Sequence, residues 1–162
     1  MDERLRTTED RFPKISKEKI FDVRRESNAE KVEFVLKVRK LMEEKDPILL
    51  DFLSEYYIKN NEPVEFLLGI TTVWILLDGL GLPSLSEVTL ADFLKELKEK
   101  GGLADALERV EENPFLIVTI VGQEGVIDSE GHLKPFTKGA MLTYELTRFQ
   151  WKQSKSEPAS LA

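Results

Sequence analysis

The chain predicts an all-α fold, a helical bundle of six to seven helices. Three observations lead there. Apolar residues recur at helical spacing along most of the 162 residues, as in Val32, Val35, Leu36, Val38, Leu41 and Met42. Proline follows a polar capping residue at Asp46-Pro47, Asn61-Glu62-Pro63 and Asn113-Pro114, which is how helices begin. One signature also occurs twice. Phe66-x-x-Gly69-x(4)-Trp74-x-Leu76 recurs as Phe136-x-x-Gly139-x(4)-Tyr144-x-Leu146. A repeated spacing means a repeated unit that buries its apolar face against its sister copy. The expectation is therefore two degenerate three-helix pseudo-repeats, 27–81 and 89–153.

Taken in order, residues 1–26 read as an N-terminal arm with a short helix. Its helical part is Ser16 to Arg25, with Ile20, Phe21 and Val23 on the apolar side. Ser27-x-x-Glu30 has the spacing of a capping box and predicts the start of the next helix. Pro47 opens a helix to about Lys59 that carries Leu49, Leu50, Phe52, Leu53, Tyr56 and Tyr57. Pro63 opens another that ends near Gly79-Leu80-Gly81, where glycine permits a left-handed turn. Its apolar stretch, Val64 to Leu82, contains Glu65 and Asp78, so it reads as a buried central helix and not a membrane span. Residues 82–88 form the linker between the copies.

Thr89-x-x-Asp92 predicts the cap of a helix that Gly101-Gly102 ends. Leu103, Leu107 and Val110 mark a further helix. Residues 115–121, Phe-Leu-Ile-Val-Thr-Ile-Val, carry two opposed signals. Their β-branched side chains favour a strand, whereas the repeat and the Asn113-Pro114 start favour a helix. Helix is the preferred reading, because burial routinely overrides propensity. A small hairpin near 122–135 is the expectation for the loop that follows. Thr137 then caps a last helix to about Lys152, and 154–162 is expected to be a disordered tail.

The glycines of the repeat make a physical demand. Glycine in a helix interior costs about 1 kcal/mol relative to alanine. Close approach of another backbone would compensate. The two helices are therefore expected to cross near Gly69 and Gly139, about a local pseudo-twofold axis. Asp78 and Arg148, equivalent in the two copies, are then expected to pair.

Composition narrows the chemistry. With 41% hydrophobic and 33% charged residues, the chain is a globular domain. It has no cysteine and one histidine, His132, so thiol nucleophiles and zinc-thiolate sites are excluded. Little Asn, Gln or Cys beside abundant Lys and Glu is a thermophile-like composition. Met1-Asp2-Glu3-Arg4 leads into no basic-then-apolar signal, so the cytoplasm is the expected location. A net charge of -7 disfavours nucleic acid.

No nucleophile elbow or phosphate loop is present. Glu62/Glu65, Glu96/Glu99 and Glu108/Glu111 each place two carboxylates on one helix face, as a metal site needs, but also as any Glu-rich solvent face does. Asp128-x-Glu130-Gly131 matches only a fragment of a calcium loop. No catalytic residue, metal ligand or cofactor is called for.

The expected function is a non-enzymatic protein-interaction or assembly module, self-associating or bound to a protein partner. Two alternatives stand beside it. One is a small-ligand or nucleotide site between the pseudo-repeats, metal-dependent or not, with Trp74, Asp78, Tyr144 and Arg148 as candidate ligand-binding residues. The other is nucleic-acid contact through the basic-aromatic last helix, with Lys138, Arg148, Trp151 and Lys152.

Overall fold

The computed structural model describes residue 13 and residues 15–102, 129–130 and 134–156. Among these residues there are six helices and no strand. They are α1 (Lys17–Ala29), α2 (Lys31–Lys45), α3 (Pro47–Lys59), α4 (Val64–Asp78), α5 (Glu87–Glu99) and α6 (Pro135–Ser156). The fold is an all-α helical bundle. The expected helices at 103–110 and 115–121, and most of the hairpin at 122–135, lie outside the described residues. The repeat of two three-helix units is therefore not established.

The centre of the described bundle is α4 against α6, the most extensive contact between any two of the described helices. α4 is apolar all round and ten of its residues are buried, from Phe66 to Leu77. The two helices meet where the repeated signature puts its glycines. A Cβ built on Gly69 would overlap the Phe136 carbonyl oxygen and lie 3.0 Å from the Ala140 nitrogen. One built on Gly139 would overlap the Phe66 carbonyl oxygen and lie 3.2 Å from the Ile70 nitrogen. The contact is reciprocal. Each glycine sits on the carbonyl of the Phe three residues before the other glycine. The crossing expected from the sequence is present, and its local symmetry is that of the Phe-x-x-Gly pair.

The ends of the helices differ from expectation in four places. Ser16 does cap α1, accepting from the Lys19 N–H at 3.2 Å. α1 then runs through the supposed capping box. Ser27 is buried inside α1 and its hydroxyl donates to the Arg24 carbonyl at 3.1 Å. The chain breaks at Glu30 instead, where φ is -136° and ψ is 67°. On α5 the cap is Ser86, three residues before Thr89. The Ser86 hydroxyl accepts from the Thr89 N–H at 3.1 Å and donates to the Thr89 hydroxyl at 2.9 Å. α6 begins at Pro135, so Thr137 falls in its first turn, with a buried hydroxyl that finds no hydrogen-bond partner among the described residues. Asp46 precedes Pro47 but its side chain makes no cap bond to α3.

Two turns follow the sequence closely. α4 closes through Gly79 and Leu80 to Gly81, whose φ of 69° is the left-handed value glycine accepts freely. α5 ends at Gly101 and Gly102, with φ of 106° and 97°, and the Gly102 N–H returns to the Leu97 carbonyl at 2.6 Å.

Candidate functional site

A cluster of long-range polar contacts begins at the corner between α2 and α3. Asp46 is only 7% exposed. Released from capping duty, its carboxylate reaches across the bundle. Oδ2 accepts from the Trp74 indole Nε1–H at 3.2 Å, and Oδ1 accepts from the Leu85 backbone N–H at 2.9 Å. Burial pushes the Asp46 pKa up, against the pull of the Leu85 and Trp74 donors, and the negative Asp78 adds to the rise. The neighbouring Lys45 ammonium is engaged by Asp78 at 3.3 Å.

Around this carboxylate the connection from α4 to α5 is pinned twice more. The Ser84 hydroxyl donates to the Lys45 carbonyl. The Ser86 N–H donates to Gln150 Oε1 at 2.9 Å, which ties the start of α5 to α6. Beside these groups lies a half-open pocket of about 30 Å³, lined in part by Asp46, Trp74, Asp78, Ser84 and Thr147. That is room for water, whereas a drug-sized ligand needs roughly 300 Å³ or more.

Of the four candidate ligand residues, Trp74 and Asp78 line this cavity; Tyr144 and Arg148 do not. Tyr144 is buried, and burial raises its pKa, with the Arg148 charge opposing and Glu145 adding to the rise. The expected Asp78–Arg148 pair does not form. Asp78 holds Lys45 instead. The reciprocal contact that relates the two helices at the glycines does not extend to their far ends, where α2 and the α4–α5 connection surround Asp78. Asp46 and Lys45 escaped the sequence reading. Asp-Pro has the local pattern of a cap, and nothing local shows that an indole 28 residues away will take the carboxylate.

The basic-aromatic side of α6 is largely committed within the fold. Lys138 pairs with Glu62 at 2.8 Å, and the Glu62 side chain is 6% exposed. Trp151 is buried, with the Lys155 ammonium 5.2 Å from its ring centroid. Phe149 packs edge-on against Phe93. Lys152 is exposed and Arg148 partly so.

The two described Glu-x-x-Glu pairs form no shared metal group. Glu62 holds Lys138, and Glu96 holds Lys100 at 3.3 Å. Glu108 and Glu111 lie outside the described residues, as does His132. Among the described residues no group of three or more His, Cys, Asp or Glu could hold a metal ion, and no helix is long and apolar enough to cross a membrane.

Comparison with known proteins gives no match to a family model, a curated protein or a solved structure.

Proposed function

We propose that the chain is a non-enzymatic helical assembly module that associates with copies of itself through the outer side of α2. The observation that supports this reading is an aliphatic pair on the wrong side of that helix. α2 buries Phe34, Val35, Val38 and Met42. Val32 and Leu36, one turn apart, point away from that face and are 62% and 58% exposed. Single exposed aliphatic residues are ordinary, but a pair at i and i+4 makes a stripe that water penalises and another apolar surface rewards.

A charge beside the stripe is paired within the chain. Lys37 follows Leu36 and is held by Glu26 of α1 at 2.6 Å. The Asp46 cavity, at about 30 Å³, offers little to a small organic ligand by comparison.

Light scattering on the purified chain over a range of concentrations tests the proposal. Wild-type protein should rise above the 18.6 kDa of one chain. The V32E/L36E double substitution should return it to monomer with its helix content intact, since neither side chain belongs to the core. A wild-type chain that stays monomeric throughout would overturn the reading.

A further inference from the structure

α2 carries more than an aliphatic stripe on its outer side. Glu33 and Lys40 flank the stripe, both exposed and seven residues apart. Two turns of helix separate them, so they stand on one flank of the stripe, about 10 Å apart along the axis. Lys37 stands on that flank too, but it is held by Glu26 of α1. Glu33 and Lys40 have no such partner among the described residues. The outer side of α2 thus presents Val32 and Leu36 with an unpaired anion before Leu36 and an unpaired cation after it.

We infer that α2 pairs antiparallel with α2 of a second copy, about a twofold axis at Leu36. The inference rests on the self-association proposed above and gives it a partner surface and a direction. The charges decide the direction. Glu33 lies three residues before Leu36, and Lys40 lies four after it. An antiparallel twofold sets each Glu33 opposite the Lys40 of the second copy, on the same flank, and so forms two ion pairs. It also packs Leu36 against its own counterpart and lays the Lys40 stem over Val32 of the second copy. A parallel pairing would leave Glu33 and Lys40 at different heights and on opposite flanks, where neither meets the other.

The test is light scattering over a range of concentrations on full-length charge-reversal variants. Glu33→Lys and Lys40→Glu should each raise the dissociation constant about tenfold, because each turns both attractive pairs into repulsive ones. The double variant E33K/K40E should recover wild-type association, because the pairs return with their signs exchanged. An equimolar mixture of the two single variants should recover it too, since each chain supplies the charge the other has lost. Single variants that associate as wild type does would overturn the antiparallel pairing and leave self-association standing. So would a double variant as weak as the singles. A wild-type chain that is monomeric at every concentration would overturn both readings.

Discussion

Asp46 shows how a residue type can be read correctly and its role missed. A carboxylate before proline has the chemistry of a cap, and the backbone does turn there. The stronger pull is the pair of buried donors, Trp74 Nε1–H and Leu85 N–H, which would otherwise be unsatisfied. Leaving a buried donor without a partner costs about 1–3 kcal/mol, more than a typical cap contributes. Asp46→Ala should therefore destabilise the fold by about 2–4 kcal/mol in chemical denaturation, since two donors lose their acceptor. Trp74→Phe should cost less, about 1–3 kcal/mol, because only one side of one bond is removed.

The pH dependence has a definite sign. A carboxyl whose folded pKa is raised binds its proton more tightly in the folded state. Its favourable contribution is thus full below the ordinary value of 3.8 and is lost as pH rises through the raised folded value. The stability of wild type relative to Asp46→Asn should fall across that window and be flat above it. A gap that widens in the opposite direction would contradict the burial assigned to Asp46.

The helices themselves were largely legible, because spacing and punctuation act locally. Pro47 and the Gly101-Gly102 pair mark boundaries that the structure keeps. The caps were less legible. Ser, Thr and Asp are common near helix starts, and several frames satisfy the same pattern. Ser27 has the right partner at Glu30 for a capping box, yet it is buried inside α1 and bonded back to Arg24. Burial of α1 against α4 outweighs the local signal. Ser86, three residues before Thr89, took the cap that Thr89 was expected to provide. Ser86→Ala should then lower stability by about 1 kcal/mol, with the loss read as faster amide exchange in the first turn of α5. Were Ser86→Ala silent, the cap assignment would fail.

Phe21, Val32 and Leu36 show a different limit of sequence reading. Their hydrophobicity placed them on the apolar side of their helices, but helical rotation sends them outward. Sequence spacing gives a stripe; it does not say which of two neighbouring stripes meets the core. Two of them, Val32 and Leu36, are the basis of the proposed self-association, an idea the composition alone could not localise.

At the scale of the whole molecule, one long-range feature was legible: the crossing of α4 and α6. Two helical glycines at the same place in a repeated signature required a compensating contact, and a reciprocal backbone contact exists. The candidate site was half legible. Trp74 and Asp78 share a cavity, while Tyr144 and Arg148 belong to the neighbouring packing of α6. The misplacement has a physical cause. Equivalence in a repeat holds where two helices touch, and it lapses where each meets different neighbours.

The most direct test of this account is a double-mutant cycle on Gly69→Ala and Gly139→Ala, measured by chemical denaturation. Helix propensity alone makes each change stabilising by about 1 kcal/mol. The crossing predicts the reverse. Each new Cβ would strike the opposing Phe carbonyl, so each single variant should lose about 1–3 kcal/mol. The double variant should lose less than the sum, since the first substitution has already parted the helices. Two alanine variants as stable as wild type, or more so, with additive effects, would contradict the central helix pair and the fold built around it.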